Sequence, residues 1–111
     1  GHTGNFRAAE MAVRAVDSAV HSLVSAAHKK GGGVIITADH GNAEEMINVE
    51  TDEPFTEHTT NPVPFILAHE AYMGRELRLN GSLIDVAPTI LDVLGITKPV
   101  EMTGETLLLS P

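Results

Sequence analysis

The stretch Gly31-Gly32-Gly33-Val34-Ile35-Ile36-Thr37-Ala38-Asp39-His40-Gly41-Asn42-Ala43-Glu44 decides the fold. Three glycines stop whatever precedes them, because glycine is the residue that closes helices. The apolar run Val34-Ile35-Ile36 then reads as a short buried strand. That strand ends in a carboxylate and an imidazole, Asp39 and His40, and Gly41 allows a sharp turn away from the sheet. In open parallel α/β sheets, ligands sit at the carboxyl ends of strands.

Working upstream, residues 5–29 read as one long amphipathic helix. Phe6, Ala9, Val13, Val16, Val20, Leu23, Val24 and Ala27 recur at helical spacing, and Arg7, Glu10, Arg14, Ser18, Ser22 and Ser25 fall mostly on the other side. The basic end His28-Lys29-Lys30 suits the negative pole of the helix dipole. Helix followed by strand is half of a βαβ unit, so an α/β class is expected. Downstream, residues 42–57 are polar, with Asp52-Glu53-Pro54 as a turn signal and a short edge strand expected over residues 47–50. Phe65-Ile66-Leu67-Ala68 reads as the second main strand, starting after Pro64 because proline belongs at a strand start. It is expected to run parallel to the first. Residues 77–79 are a candidate short strand before the Asn80-Gly81 turn. Ser82 and Asp85 have capping-box spacing. They open a helix expected to start near Asp85 or Val86, with Pro88 in its first turn and Gly95 as its C-cap. The tail from Lys98 onward reads as irregular.

The whole is 111 residues, enough for one domain and a modest core. A formal net charge of -8 argues against nonspecific binding to nucleic acid or anionic membranes. There are no cysteines, hence neither a disulfide framework nor a thiolate site. No apolar stretch reaches transmembrane length and no signal peptide is visible, so a soluble cytoplasmic protein is the expectation.

Two further histidines have loop settings like that of His40. His58 lies in Glu57-His58-Thr59-Thr60-Asn61-Pro62-Val63-Pro64-Phe65, and His2 in Gly1-His2-Thr3-Gly4. Three imidazoles and one carboxylate suit transition-metal ions such as Zn or Mn. Each has a plainer reading: Asp39-His40 as a strand-end capping pair, His58 as a solvated loop histidine, Gly1-His2 as a tag remnant. Thr59, Thr60 and Asn61 are placed to hydrogen-bond the His58 ring and fix its tautomer. His21, His28 and His69 lack such a setting and read as structural. Glu44 and Glu45 read as charge at the start of a loop or helical turn, and Met46 as packing.

Taken together, Gly1-His2-Thr3-Gly4, residues 38–46 (ADHGNAEEM) and residues 57–65 (EHTTNPVPF) resemble the C-terminal part of cofactor-independent phosphoglycerate mutase, a family within the alkaline phosphatase superfamily. Residues 84–95 and 101–104 extend the likeness through the chain. The ADHG string alone is a superfamily signal, whereas HTTNPVPF is specific to the mutase. The resemblance implies a partial alkaline-phosphatase-like three-layer αβα fold with a short, mostly parallel sheet, residues 1–111 forming one incomplete domain. It implies two divalent metal ions, Mn²⁺ first, with Zn²⁺, Co²⁺ or Mg²⁺ as alternatives. Asp39 and His40 would ligate one ion, and His58 and His2 the other. It implies interconversion of 3-phosphoglycerate and 2-phosphoglycerate through a phosphoserine in the complete enzyme.

The family's serine nucleophile, two further aspartates and the substrate-binding domain have no counterpart motif here, and Ser82 and Ser110 lack activating neighbours. The chain therefore reads as a piece of a longer protein, without catalytic residues or turnover of its own. An unpaired sheet edge and apolar helix surface would favour self-association. The competing readings are another superfamily enzyme, a phosphopentomutase or phosphodiesterase, and a non-catalytic metal-binding or self-associating module.

Overall fold

The computed structural model describes residues 1–110. Two compact units divide the chain, the first spanning residues 1–71 and the second beginning at Tyr72.

The first unit opens with helix α1, Phe6–Lys29, 24 residues long. Its start is set by Asn5, whose side-chain oxygen accepts the Ala8 N–H at 3.0 Å and so satisfies one of the helix's orphan donors. Glu10 and Arg14 form the expected i,i+4 pair at 2.9 Å on an exposed face, where such a pair adds only a few tenths of a kcal/mol. At the other end Lys30 N–H bonds the Ala27 carbonyl and Gly31 N–H the His28 carbonyl, and the glycine run ends the helix. His28 is half-buried there, its Nε2 donating to the Ala68 carbonyl at 3.1 Å. That bond ties the end of α1 to the strands.

Strands β1, Val34–Thr37, and β2, Phe65–Ala68, form the sheet. They pair antiparallel, with Val34 opposite Ala68 and Thr37 opposite Phe65. This corrects the expectation of a mostly parallel sheet. The reason lies in the connection. A parallel pair needs a crossover, normally a helix laid over the sheet face, and residues 38–64 contain no helix. Instead the chain folds back on itself as one long irregular ribbon. Beyond the sheet, Gly41 bridges Thr59 and, further out, Ile47 bridges Pro54, both antiparallel. The expected strand over 47–50 is likewise absent: Ile47 is an isolated bridge leading into the ribbon's tip. There the Asn48 side chain accepts the Glu50 and Thr51 N–H groups, and Asp52 takes a left-handed backbone (φ 55°). Met46 is buried against the ribbon, as its packing role predicts.

The second unit is organised round helix α2, Val86–Val93, entered through a single 3₁₀ turn, Leu83–Asp85. Ser82 N–H donates to Asp85 Oδ2 at 2.9 Å, the reciprocal bond of the expected capping box. Pro88 is buried in the first turns and Gly95, at φ 67°, closes the helix as expected. Residues 77–79 form no strand. Leu77 makes one isolated bridge, and its partner is Leu108 in the irregular tail. Leu107 is buried beside it. Fully buried Thr89 joins helix to tail: its hydroxyl donates to the Asp85 carbonyl at 2.7 Å and accepts the Leu107 N–H at 2.9 Å. Asp85 is also buried. It accepts the Glu105 N–H at 2.9 Å and pairs with Arg78 at 3.0 Å, so its carboxyl is held below the ordinary range, chiefly by Glu105 N–H and then by Ser82 N–H. Lys98 fastens the tail from the other side, its Nζ donating to the carbonyls of Met102 and Gly104.

Candidate metal centre

The antiparallel ribbon builds this site. Asp39 and His40 leave the end of β1 on one arm, and His58 lies on the other arm, one residue before Thr59. Because Gly41 faces Thr59, the residues flanking that bridge share a face of the ribbon. His40 and His58 therefore meet as a diagonal cross-strand pair, their rings stacked with centroids 3.7 Å apart and planes 20° apart. His2 reaches the same place from the N-terminal turn and meets the His58 ring edge-on at 5.2 Å. Asp39 Oδ1 lies 3.6 Å from His40 Nε2. All four residues singled out from the sequence are thus gathered at one end of the sheet.

The His40 tautomer follows from its surroundings. Its Nδ1 lies 3.0 Å from the Gly41 carbonyl, which only accepts, so Nδ1 carries the proton. In the neutral ring, Nε2 is left with a free lone pair facing Asp39 Oδ1. A backbone carbonyl orienting a histidine in this way is the usual arrangement at metal sites. Two bonds of about 2.0–2.2 Å reach one cation from donors 3.6 Å apart, so Asp39 and His40 fit a shared ion by chemistry and spacing. Among the described residues no three His, Asp or Glu side chains surround a single position. Asp39 lies beside His40, and His2 beside His58.

Thr59 and Asn61 do not serve His58 in the way their positions led us to expect. The Thr59 hydroxyl donates to Glu44 Oε1, and Asn61 Nδ2 donates to the same oxygen at 3.2 Å. Glu44 Oε2 accepts the Asn42 N–H at 2.7 Å. These donors hold the Glu44 carboxyl down to about 2, the Thr59 hydroxyl contributing most and backbone N–H groups next. Nothing in the spacing of Glu44 announces this role. It depends on contacts across the ribbon with residues 15 and 17 positions away. Gly41 is required at the centre of the arrangement, because a Cβ there would fall on Thr59 Oγ1 and Glu44 Oε1. His21 remains exposed on α1, consistent with a structural reading.

A profile of the metalloenzyme superfamily matches residues 1–98. The chain belongs to the metalloenzyme superfamily. Among its relatives, 2,3-bisphosphoglycerate-independent phosphoglycerate mutase 2 of Methanosarcina barkeri is 56% identical over 108 residues, 97% of this chain and 20% of that protein. The 2,3-bisphosphoglycerate-independent phosphoglycerate mutase of Acetivibrio thermocellus is 52% identical over 108 residues, again 97% and 20%. A crystal structure of Leishmania mexicana phosphoglycerate mutase at low cobalt concentration matches with a TM-score of 0.84 and 28% identity, over 99% of this chain and 23% of that one. The chain spans about a fifth of the length of the curated relatives it matches. Its membership of a metalloenzyme superfamily agrees with the donor set gathered at the end of β1.

Proposed function

We propose that this chain carries the metal-ligating end of the phosphatase-like domain of a cofactor-independent phosphoglycerate mutase. In the complete enzyme that domain interconverts 3-phosphoglycerate and 2-phosphoglycerate through a phosphoserine. Asp39 and His40 hold one divalent ion, and His58 and His2 contribute to a second, with Mn²⁺ the first expectation. Bound ions would lower the pKa of the attacking hydroxyl and neutralise phosphate oxygens, which is most of what phosphoryl transfer requires. The chain's own part is positional. Gly41 fixes the His40 tautomer, Asp39 supplies a carboxylate, and the ribbon sets the spacing of the two pairs. The serine nucleophile and the basic residues that hold the substrate belong to stretches of the complete enzyme that these 111 residues do not match.

The observation that carries this reading is the meeting of His40 and His58 at 3.7 Å, with Asp39 beside them. The decisive experiment assays mutase activity in the complete enzyme after Mn²⁺ or Co²⁺ reconstitution, with Asp39→Ala and His58→Ala as variants. The same assay on the purified chain should give no turnover. Metal-independent activity of the variants, or turnover by the chain alone, would overturn the reading.

A second property rests on a different observation. The apolar side chains of Phe6, Met11, Val13, Val16 and Leu23 on α1 are well exposed. Their exposure supports self-association of the chain. No helix among the described residues is long and apolar enough to cross a membrane.

A further inference from the structure

One backbone bridge, with Thr59 N–H donating to the Gly41 carbonyl at 2.9 Å, joins the two arms where the histidines meet. The arms are paired on either side, at β1–β2 and at Ile47–Pro54, but between these this is the one backbone bridge among the described residues. Glu44 adds side-chain ties at that level. Its Oε2 accepts from Asn42 N–H at 2.7 Å, two residues past His40. Its Oε1 accepts from the Thr59 hydroxyl, one residue past His58, and from Asn61 Nδ2 at 3.2 Å. Asn42 returns a second tie to the far arm, its Nδ2 donating to the Glu57 carbonyl at 3.0 Å. One carboxylate thus holds three donors on both arms, and bonds to an ionised acceptor are the stronger kind.

We propose that Glu44 is a positioning residue, whose carboxylate clasps the Asp39-His40 arm to the His58 arm and fixes the register in which the two imidazoles meet. The inference rests on the Proposed function only for its consequence in metal binding. The clasp itself is a matter of the ribbon's geometry.

The test is NMR of the histidine rings in the 111-residue chain, paired with Co²⁺ titration. Rings stacked at 3.7 Å shield one another, so His40 and His58 ring protons should lie upfield of those of exposed His21. In Glu44→Ala both upfield shifts should be lost while His28 keeps its wild-type signals. Co²⁺ affinity should fall roughly 10–100-fold, the usual effect of removing a group that orients metal ligands. Thr59→Val, which removes the hydroxyl from the same carboxylate, should reproduce this, and Thr59→Ser should restore the wild-type pattern. A Glu44→Ala chain that melts earlier but keeps the stacked shifts would overturn the proposal, since that is all a merely stabilising residue would do. If Glu44→Ala does not fold, the threonine pair decides: stacking lost in Thr59→Val and kept in Thr59→Ser supports it, and stacking kept in both overturns it. Stacked shifts lost in Glu44→Ala with Co²⁺ affinity unchanged would leave the clasp standing and overturn its consequence for metal binding.

Discussion

The imidazole of His40 lies flat on that of His58, 3.7 Å away, although 17 residues of chain separate them. The contact exists because the ribbon turns back at its tip and returns His58 to the level of Gly41. A parallel sheet would have carried the second arm through a crossover helix instead. The antiparallel ribbon is therefore the device that gathers the donors.

In the complete enzyme, replacing Asp39 or His40 with alanine should abolish turnover and leave folding nearly unchanged. Both residues lie past the end of β1, and Asp39 is exposed, so little packing is lost. Loss of a direct ligand should exceed the roughly 10–100-fold effect of losing a group that only orients one. Steady-state kinetics beside thermal unfolding of each variant will check this. A well-folded Asp39→Ala enzyme with wild-type rate would remove Asp39 from the site.

Much of this was legible in the chain itself, and what was missed has identifiable causes. Helix α1 was legible because a 3.6-residue apolar period, an Asn5 cap and a glycine stop all agree. The gathering of His2, Asp39, His40 and His58 was legible because each sits in a loop with distinctive neighbours. Strand direction was not, since a run such as Val34-Ile35-Ile36 says it is buried but not how its partner runs. The polar, aperiodic residues 42–57 did carry the clue: a connection without a helical period cannot supply a crossover helix. Glu44 escaped because its role lies in contacts across the ribbon, and Thr89 and Leu107 escaped because helix and tail meet only in the folded chain.

Asp85 should give the second unit an acid-sensitive component of stability. Its folded pKa is depressed, first by Glu105 N–H and then by Ser82 N–H and Arg78. A carboxyl with a depressed folded pKa contributes fully above its unfolded pKa, about 3.9 for Asp. That contribution is lost as pH falls from there through the lower folded value. Glu44 adds a like component for the ribbon, lost between its ordinary value of 4.5 and about 2. Unfolding midpoints measured from pH 6 down to pH 2 should fall below about pH 4.5, and Asp85→Asn should flatten the curve. An unchanged acid limb in that variant would show that Asp85 is not its source.

Thr89→Val should destabilise the chain out of proportion to its near-identical volume. The hydroxyl is wholly buried and serves both the Asp85 carbonyl and the Leu107 N–H. Its removal leaves a buried N–H unpaired, which costs about 1–3 kcal/mol. Thr89→Ser keeps both bonds and loses one methyl, so its loss should be smaller, about 0.5–1.5 kcal/mol. Denaturant midpoints of the two variants test the order. Serine being the more damaging would mean that packing, not the hydroxyl, joins helix to tail.

Association of the chain should strengthen with salt. Val13 and Val16 are 59% and 61% exposed on α1, with Phe6, Met11 and Leu23 exposed along the same helix. Val13, Val16 and Leu23 fall on one side of the helix, and exposed apolar surface there favours association. Opposing it is a formal net charge of -8 on each copy, a repulsion screened beyond about 10 Å at 0.1 M salt and about 3 Å at 1 M. The apolar attraction is not weakened in this way. The average mass by sedimentation should therefore rise between 0.05 M and 0.5 M NaCl at fixed protein concentration, and Val13→Glu/Val16→Lys, which breaks the apolar surface at constant net charge, should cancel the rise. A monomer at every salt concentration, up to millimolar protein, would show that the exposed face of α1 does not drive self-association.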